Sequence, residues 1–221
     1  MRAILRLYED VLPNDGALRI ALPGLPRMIY VVHGAATIGG RALSDGEAWH
    51  GEDAVTLAPG SDGVTCWRFE LAPANAAGGE AEGPAMISRQ KLMASVEMLP
   101  AGDLLLRGDS VAFPPGGCAF LHRHQGPGIR CLLEGGIRID THGASTSYGP
   151  GGAWYESGPE PVFAQAARDR ATRFIRMMIL PRALTGKSSI EYLNADDKAR
   201  PKSQSYQGFA DAPISFPAPR P

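Results

Sequence analysis

Residues 116–136 read GGCAFLHRHQGPGIRCLLEGG. His122 and His124 stand two apart in a run that ends at a Gly-Pro-Gly break. On a strand, residues i and i+2 point to the same face, so the two imidazoles project together. On a regular strand Cys118 and Phe120 share that face. Two neutral imidazoles on one strand are a ready pair of metal ligands. A tight site takes three or four protein ligands. Gln125, Glu134, His142 and Glu156 are donors close enough in the chain to complete it, and spacing does not choose among them.

The flanking sequence is β-rich. Residues 104–124, LLLRGDSVAFPPGGCAFLHRH, read as two strands around the turn Pro114-Pro115-Gly116-Gly117. A weak internal repeat extends this reading. VVHGAATIGGRALSDGEAW (31–49) and LLEGGIRIDTHGASTSYGPGGAW (132–154) each run from an apolar pair through Gly and a hairpin to Gly-x-Ala-Trp. Both copies continue to a late strand ending in proline, TCWRFELAP (65–73) and TRFIRMMILP (172–181). We read residues 1–73 as one β-rich unit, 74–85 as a linker, 86–181 as a second unit and 182–221 as an extended tail. The linker has too few large apolar groups to pack. Residues 86–100 fit a helical turn or a strand. The tail is polar and aperiodic, suited to draping over a barrel or a neighbouring subunit, or to disorder.

Composition narrows the classes. The chain has 221 residues, 22 Lys+Arg and 23 Asp+Glu. This balance offers no broad attraction to nucleic acid or anionic membrane. Three cysteines without CxxC spacing argue against a disulfide framework and for a reducing compartment. The N-terminus lacks a signal-peptide pattern, and no apolar run reaches the ~20 residues that span a bilayer. The expectation is a cytoplasmic, soluble protein. No dinucleotide fingerprint, P-loop or GxSxG elbow is present, so no organic cofactor is expected.

The second half resembles the cupin superfamily. The first cupin motif runs Gly, five residues, His-x-His, then Glu, then Gly. Here Gly116, His122, His124 and Gly135 fit that frame, and Gly128 stands where the glutamate belongs. In the second motif Gly152 takes the first position, Gly158 replaces a proline, Glu160 a glycine and Phe163 the histidine. The first half, aligned on Gly34 and Gly135, has Ala21 and Pro23 in place of the two histidines. The resemblance implies an all-β fold of two double-stranded β-helix (jelly-roll) barrels in one chain, a bicupin, forming a homodimer.

With that resemblance, positions 128, 130 and 132 face the barrel interior. A buried Arg130 then needs a carboxylate partner, Glu134, Glu156 or Asp140, or an anionic ligand. Phe163 and Gln165 share a face and supply an apolar wall and an amide. The expected metal ligands are His122 and His124. The expected ligand-binding residues are Arg130, Phe163, Gln165 and Glu156. The implied function is a barrel that binds one divalent metal (Fe, Mn, Ni or Zn) and a small anionic molecule. With metal it would oxygenate or isomerise a small carboxylic acid. The alternatives are a metal-free ligand-binding or sensor protein and a structural dimerising module. Trp49 and Trp154 read as packing residues, and His33, His50 and His142 as turn or surface residues.

Overall fold

The structure, a computed structural model, describes residues 2–76, 78–83 and 85–216. Positions 77 and 84 of the expected linker and 217–221 of the expected tail lie outside the described residues. The chain forms two compact units: one covers the described residues of Met1–Glu97 and Ile214–Pro221, the other Met98–Pro213. Among the described residues no helix is long and apolar enough to cross a membrane.

The first unit has β1 (Ala3–Leu12), β2 (Ile20–Leu22), β3 (Arg27–Ile38), β4 (Arg41–Ser44), β5 (Ala48–Gly51), β6 (Val55–Pro73) and β7 (Ile87–Val96). They form a seven-stranded sheet ordered β4-β3-β6-β1-β7, with β2 on β6 and β5 on β3. Residues 86–97 therefore belong here and not to the second unit, because β7 pairs antiparallel with β1 from Ala3↔Val96 to Val11↔Ile87.

The second unit has β8 (Leu104–Phe113), β9 (Cys118–His124), β10 (Gly128–Glu134), β11 (Ile137–Thr141), β12 (Ala144–Tyr148) and β13 (Ala153–Glu156). It continues with β14 (Val162–Ala166), β15 (Thr172–Pro181), β16 (Ile190–Tyr192), the short helix α1 (Ala195–Ala199) and β17 (Ser205–Ile214). Two five-stranded sheets result, β13-β10-β15-β8-β17 and β12-β11-β14-β9-β16. The expected tail is thus structural: β16 joins β9 and β17 joins β8. The two sheets enclose an apolar core that includes Val111, Phe113, Leu132, Ile137, Trp154 and Phe174.

The repeat is real in the ladders. The order β3-β6-β1-β7 corresponds to β10-β15-β8-β17, with β5 against β3 as β13 lies against β10. Trp49 pairs with Ile29, and Trp154 with Arg130. The anchoring glycines share a physical cause. Gly34 and Gly135 have φ of +86° and +83°, and a Cβ there would stand 2.3 and 2.2 Å from the carbonyl oxygens of Gly63 and Ala171. Only glycine fits a positive φ at such a close approach.

The interiors differ. At the ladder positions where the second unit pairs Arg130 with Arg176, the first pairs Ile29 with Arg68. Arg68 donates to Asp10 (Nε–Oδ2 2.7 Å) and to Glu70 (Nη1–Oε1 2.7 Å). Arg6 and Arg27 also donate to Glu70, at 3.1 and 3.2 Å. All five side chains are at most 4% exposed. This buried ion network occupies the first barrel's interior.

Candidate metal centre

Three side chains of the second unit converge. His122 and His124 leave β9 and Glu156 leaves β13, and one donor atom from each lies within 4.8 Å of the others. All three are buried. Spacing could not choose a third donor, and strand pairing brings one to the two histidines. Glu156 lies directly opposite Gly128 in the β10–β13 ladder. A carboxylate is thus supplied from the neighbouring strand at the level where the cupin motif has its glutamate. Position 128 itself has no room for a side chain, since a Cβ there would be 2.6 Å from the Met177 carbonyl oxygen.

The His122 tautomer suits ligation. His122 Nδ1 lies 2.7 Å from the Phe120 carbonyl oxygen. A carbonyl only accepts, so Nδ1 carries the proton and Nε2 the lone pair. His124 Nδ1 contacts Ser189 Oγ at 3.3 Å, and its Nε2 faces Glu156 Oε2 at 3.8 Å. Burial lowers the pKa of His122. Burial, reinforced by Arg176 and Arg130, lowers that of His124 well below its ordinary value. Both rings are therefore neutral near pH 7, the form that binds metal.

Glu156 is held from one side only. Its Oε1 accepts from Trp154 Nε1 at 2.9 Å. Its Oε2 lies 2.7 Å from Arg130 Nη2, yet neither atom has a hydrogen bond of acceptable alignment. We read this contact as a Coulombic pair whose N–H vectors miss the oxygen, because hydrogen bonding is directional and charge attraction is not. Oε2 is thus a buried carboxylate oxygen without a hydrogen bond, facing the Nε2 of His124, as a metal ligand would. Burial lowers the Arg130 pKa to about 10, partly offset by Glu156. Trp154 packs in the core, stacked on Tyr148 and edge-on to Phe174, and it also orients the carboxylate. Trp154→Phe keeps the ring and removes only the donor. It should weaken divalent-metal affinity about 10- to 100-fold, as read by chelator competition, with the fold intact by circular dichroism.

Arg130 faces the interior as expected, and its partner is Glu156. Phe163 and Gln165 do share a face, but it is the wrong one for lining the barrel. On β14 the buried residues are Val162, Ala164 and Ala166, and Gln165 Nε2 donates to the Gly116 and Gly117 carbonyls. β14 pairs regularly with β11, with Ala164 opposite the buried Ile139, so its even-numbered residues face inward; β9 carries a bulge, since Val162 pairs with His122 while Ala164 pairs with Ala119. The same bulge turns Cys118 and Phe120 away from the histidine face and puts Ala119 there. Of the other candidate donors, Gln125 and His142 are exposed, and Glu134 pairs with Arg173 at 3.0 Å.

Two residues escaped the sequence reading. Asp109 and Arg176 form a buried bidentate pair (2.7 and 2.9 Å) beside the cluster. Their signal was their parity on β8 and β15, the same faces as Val111 and Phe174. The space enclosed by the cluster, Arg130 and Arg176 is about 20 Å³, enough for a single ion or water.

No protein-family model matches the chain, and no curated protein does. Solved structures do. AerE from Microcystis aeruginosa aligns at TM-score 0.55 with 12% identity, over 81% of this chain and 88% of that one. A variant of Bacillus subtilis oxalate decarboxylase aligns at 0.53 with 12% identity, over 81% and 72%. Salicylate 1,2-dioxygenase from Pseudaminobacter salicylatoxidans aligns at 0.51 with 9% identity, over 78% and 70%. At these identities the likeness concerns architecture, and on that ground the chain has the cupin fold, with one β-barrel unit held by buried ion pairs and a second built around His122, His124 and Glu156.

Proposed function

We propose that the second unit binds one divalent metal through His122, His124 and Glu156 and acts with it on a small organic acid. The observation that carries this reading is Glu156 Oε2, a buried carboxylate oxygen without a hydrogen bond, 3.8 Å from His124 Nε2. Two histidines and one carboxylate match the donor set of non-haem iron(II) sites, and manganese, nickel and zinc accept the same donors. A metal held there would supply Lewis acidity and open positions for oxygen or substrate. The chain's own groups do the rest. Trp154 orients the carboxylate, Phe120 fixes the His122 tautomer, and apolar walls limit access by water.

Charge balance favours an anionic substrate. Around the cluster stand Arg130 and Arg176 against Glu156 and Asp109, so a divalent ion leaves an excess of two positive charges in a buried space. A substrate carboxylate reduces that excess, so metal and acid should bind cooperatively. Two proteins with a similar fold are named for salicylate and oxalate, both carboxylates, which agrees with this reading.

A second reading has its own observation. The 2.7 Å contact between Arg130 and Glu156 is a ready-made substitute for a cation, which suits a metal-free ligand-binding protein. Elemental mass spectrometry of protein purified without a His-tag separates the two. Near-stoichiometric metal in wild type, absent from the His122→Ala/His124→Ala variant, is the expected result. No metal in either, even after reconstitution with Fe, Mn, Ni and Zn, would leave the metal-free reading standing.

A further inference from the structure

The space at the cluster, about 20 Å³, holds an ion and excludes an organic molecule. A second cavity of about 360 Å³ lies beside it, within the size range of small-molecule sites. The two share His124, Arg176, Ile190 and Tyr206, so the larger is an antechamber to the smaller. Its outer wall comes from the C-terminal segment: the turn at Gly186–Ser189 and the β17 residues Tyr206, Gly208 and Ala210.

The charged groups around this antechamber are not equally committed. Arg107 is engaged on all three nitrogens, to Asp211 (2.8 Å) and to the Lys187 and Leu184 carbonyls (both 2.7 Å). Arg176 is not. Asp109 takes its Nε and Nη2, and Nη1 makes no hydrogen bond among the described residues and is not fully buried, so it opens to solvent. A guanidinium nitrogen open to a cavity suits an oxyanion. The guanidinium carbon lies 5.6 Å from the centre of the Tyr206 ring. Tyr206 is 52% exposed and lines the cavity, so aromatic surface is available at its wall.

We propose that this antechamber is the binding site of the organic ligand, and that the ligand is a monocarboxylate with a compact apolar body. The carboxylate meets Arg176 Nη1 beside His124, and the body lies along Tyr206 and Ile190. A second carboxylate on the ligand would meet Asp109 or Asp211, which also line the space, so dicarboxylates are disfavoured. The inference deepens the metal-and-acid reading of this unit and rests on it. It moves the ligand from Arg130, Phe163 and Gln165 to residues of β15 and of the C-terminal segment.

The test is calorimetric titration of phenylacetate into metal-reconstituted full-length protein, with 2-phenylethanol as the uncharged body. Three variants go beside it: Tyr206→Ala, Tyr206→Phe, and Asp109→Asn/Arg176→Gln, which removes both charges and strands neither. Phenylacetate should bind at least tenfold more tightly than 2-phenylethanol. Affinity should fall tenfold or more in Tyr206→Ala and in the double variant, and stay near wild type in Tyr206→Phe. Metal content of Tyr206→Ala should equal that of wild type. No binding of phenylacetate, equal binding of the two probes, or full affinity in Tyr206→Ala overturns the proposal. Failure of the metal reading shows separately, as wild type without metal, and the same titrations on metal-free protein then decide the antechamber on its own.

Discussion

Replacing Arg130 by methionine should tighten divalent-metal binding tenfold or more while destabilising the metal-free protein. Arg130 is 1% exposed and its Nη2 stands 2.7 Å from Glu156 Oε2, the oxygen that a metal needs. A fixed guanidinium at this distance repels a divalent cation and competes for its ligand. Tenfold corresponds to about 1.4 kcal/mol, a small part of what two such charges exchange in a water-poor interior. Without metal, the variant leaves a buried carboxylate with no opposite charge in contact. Breaking such a pair costs roughly 3–5 kcal/mol. Metal should return that loss, because a ligand that binds only the folded state stabilises it by mass action. Chelator competition and thermal unfolding with and without metal check both halves. A variant that binds metal no more tightly than wild type, or whose unfolding metal leaves unmoved, would sink the metal assignment and favour the ion pair as the site's finished state.

The second large effect belongs to the first unit. Arg68→Met should cost roughly 3–5 kcal/mol, because it strands Asp10 and Glu70 in the interior. Arg68 is 1% exposed and donates to both. Asp10 is left with the Ser88 hydroxyl as a side-chain donor at 2.5 Å. Glu70 keeps Arg6 and Arg27, so most of the loss falls on Asp10. For a unit of about 100 residues the expected drop in melting temperature is about 4–8 °C per kcal/mol, enough to unfold a marginal domain. Arg89→Met is the control: Arg89 is 66% exposed and pairs with Glu9 at 2.6 Å, and its loss should cost less than about 1 kcal/mol. Urea unfolding followed by circular dichroism measures both. Equal stability of Arg68→Met and wild type would show that the network is dispensable. Cys66 lies in this interior too, and burial pushes its thiol pKa up, so it is an inert packing residue there.

Much of this was legible in residue order. The β-rich class followed from short apolar runs between Gly and Pro, and the two-unit plan from Gly34 and Gly135 with Trp49 and Trp154. The histidine pair followed from parity, because i and i+2 share a strand face without any tertiary knowledge. The boundary at 85/86 was misplaced for an identifiable reason. Residues 87–95 are all exposed or half-buried, as in an outer strand, and a strand's partner is not written in its own sequence. The partners of the tail were hidden for the same reason. Ser189, Ile190 and Tyr206 line cavities only because β16 and β17 pair with β9 and β8.

What the sequence by itself determined about this protein is the set of donors available on each strand: His122 and His124 together, Glu156 two residues beyond Trp154, Arg130 at interior parity. Only the tertiary structure decided which of them meet. The β10–β13 ladder sets Glu156 opposite a glycine with no room for a side chain. A single bulge in β9 removes Phe120 and Cys118 from the interior and puts Ala119 there, while the β11–β14 register turns Phe163 and Gln165 outward and Ala164 inward. The reason is geometric: side-chain direction has a period of two along a strand, so one inserted residue reverses every face beyond it. Neither the register nor the bulge is set by the strand's own residues, because both come from long-range pairing.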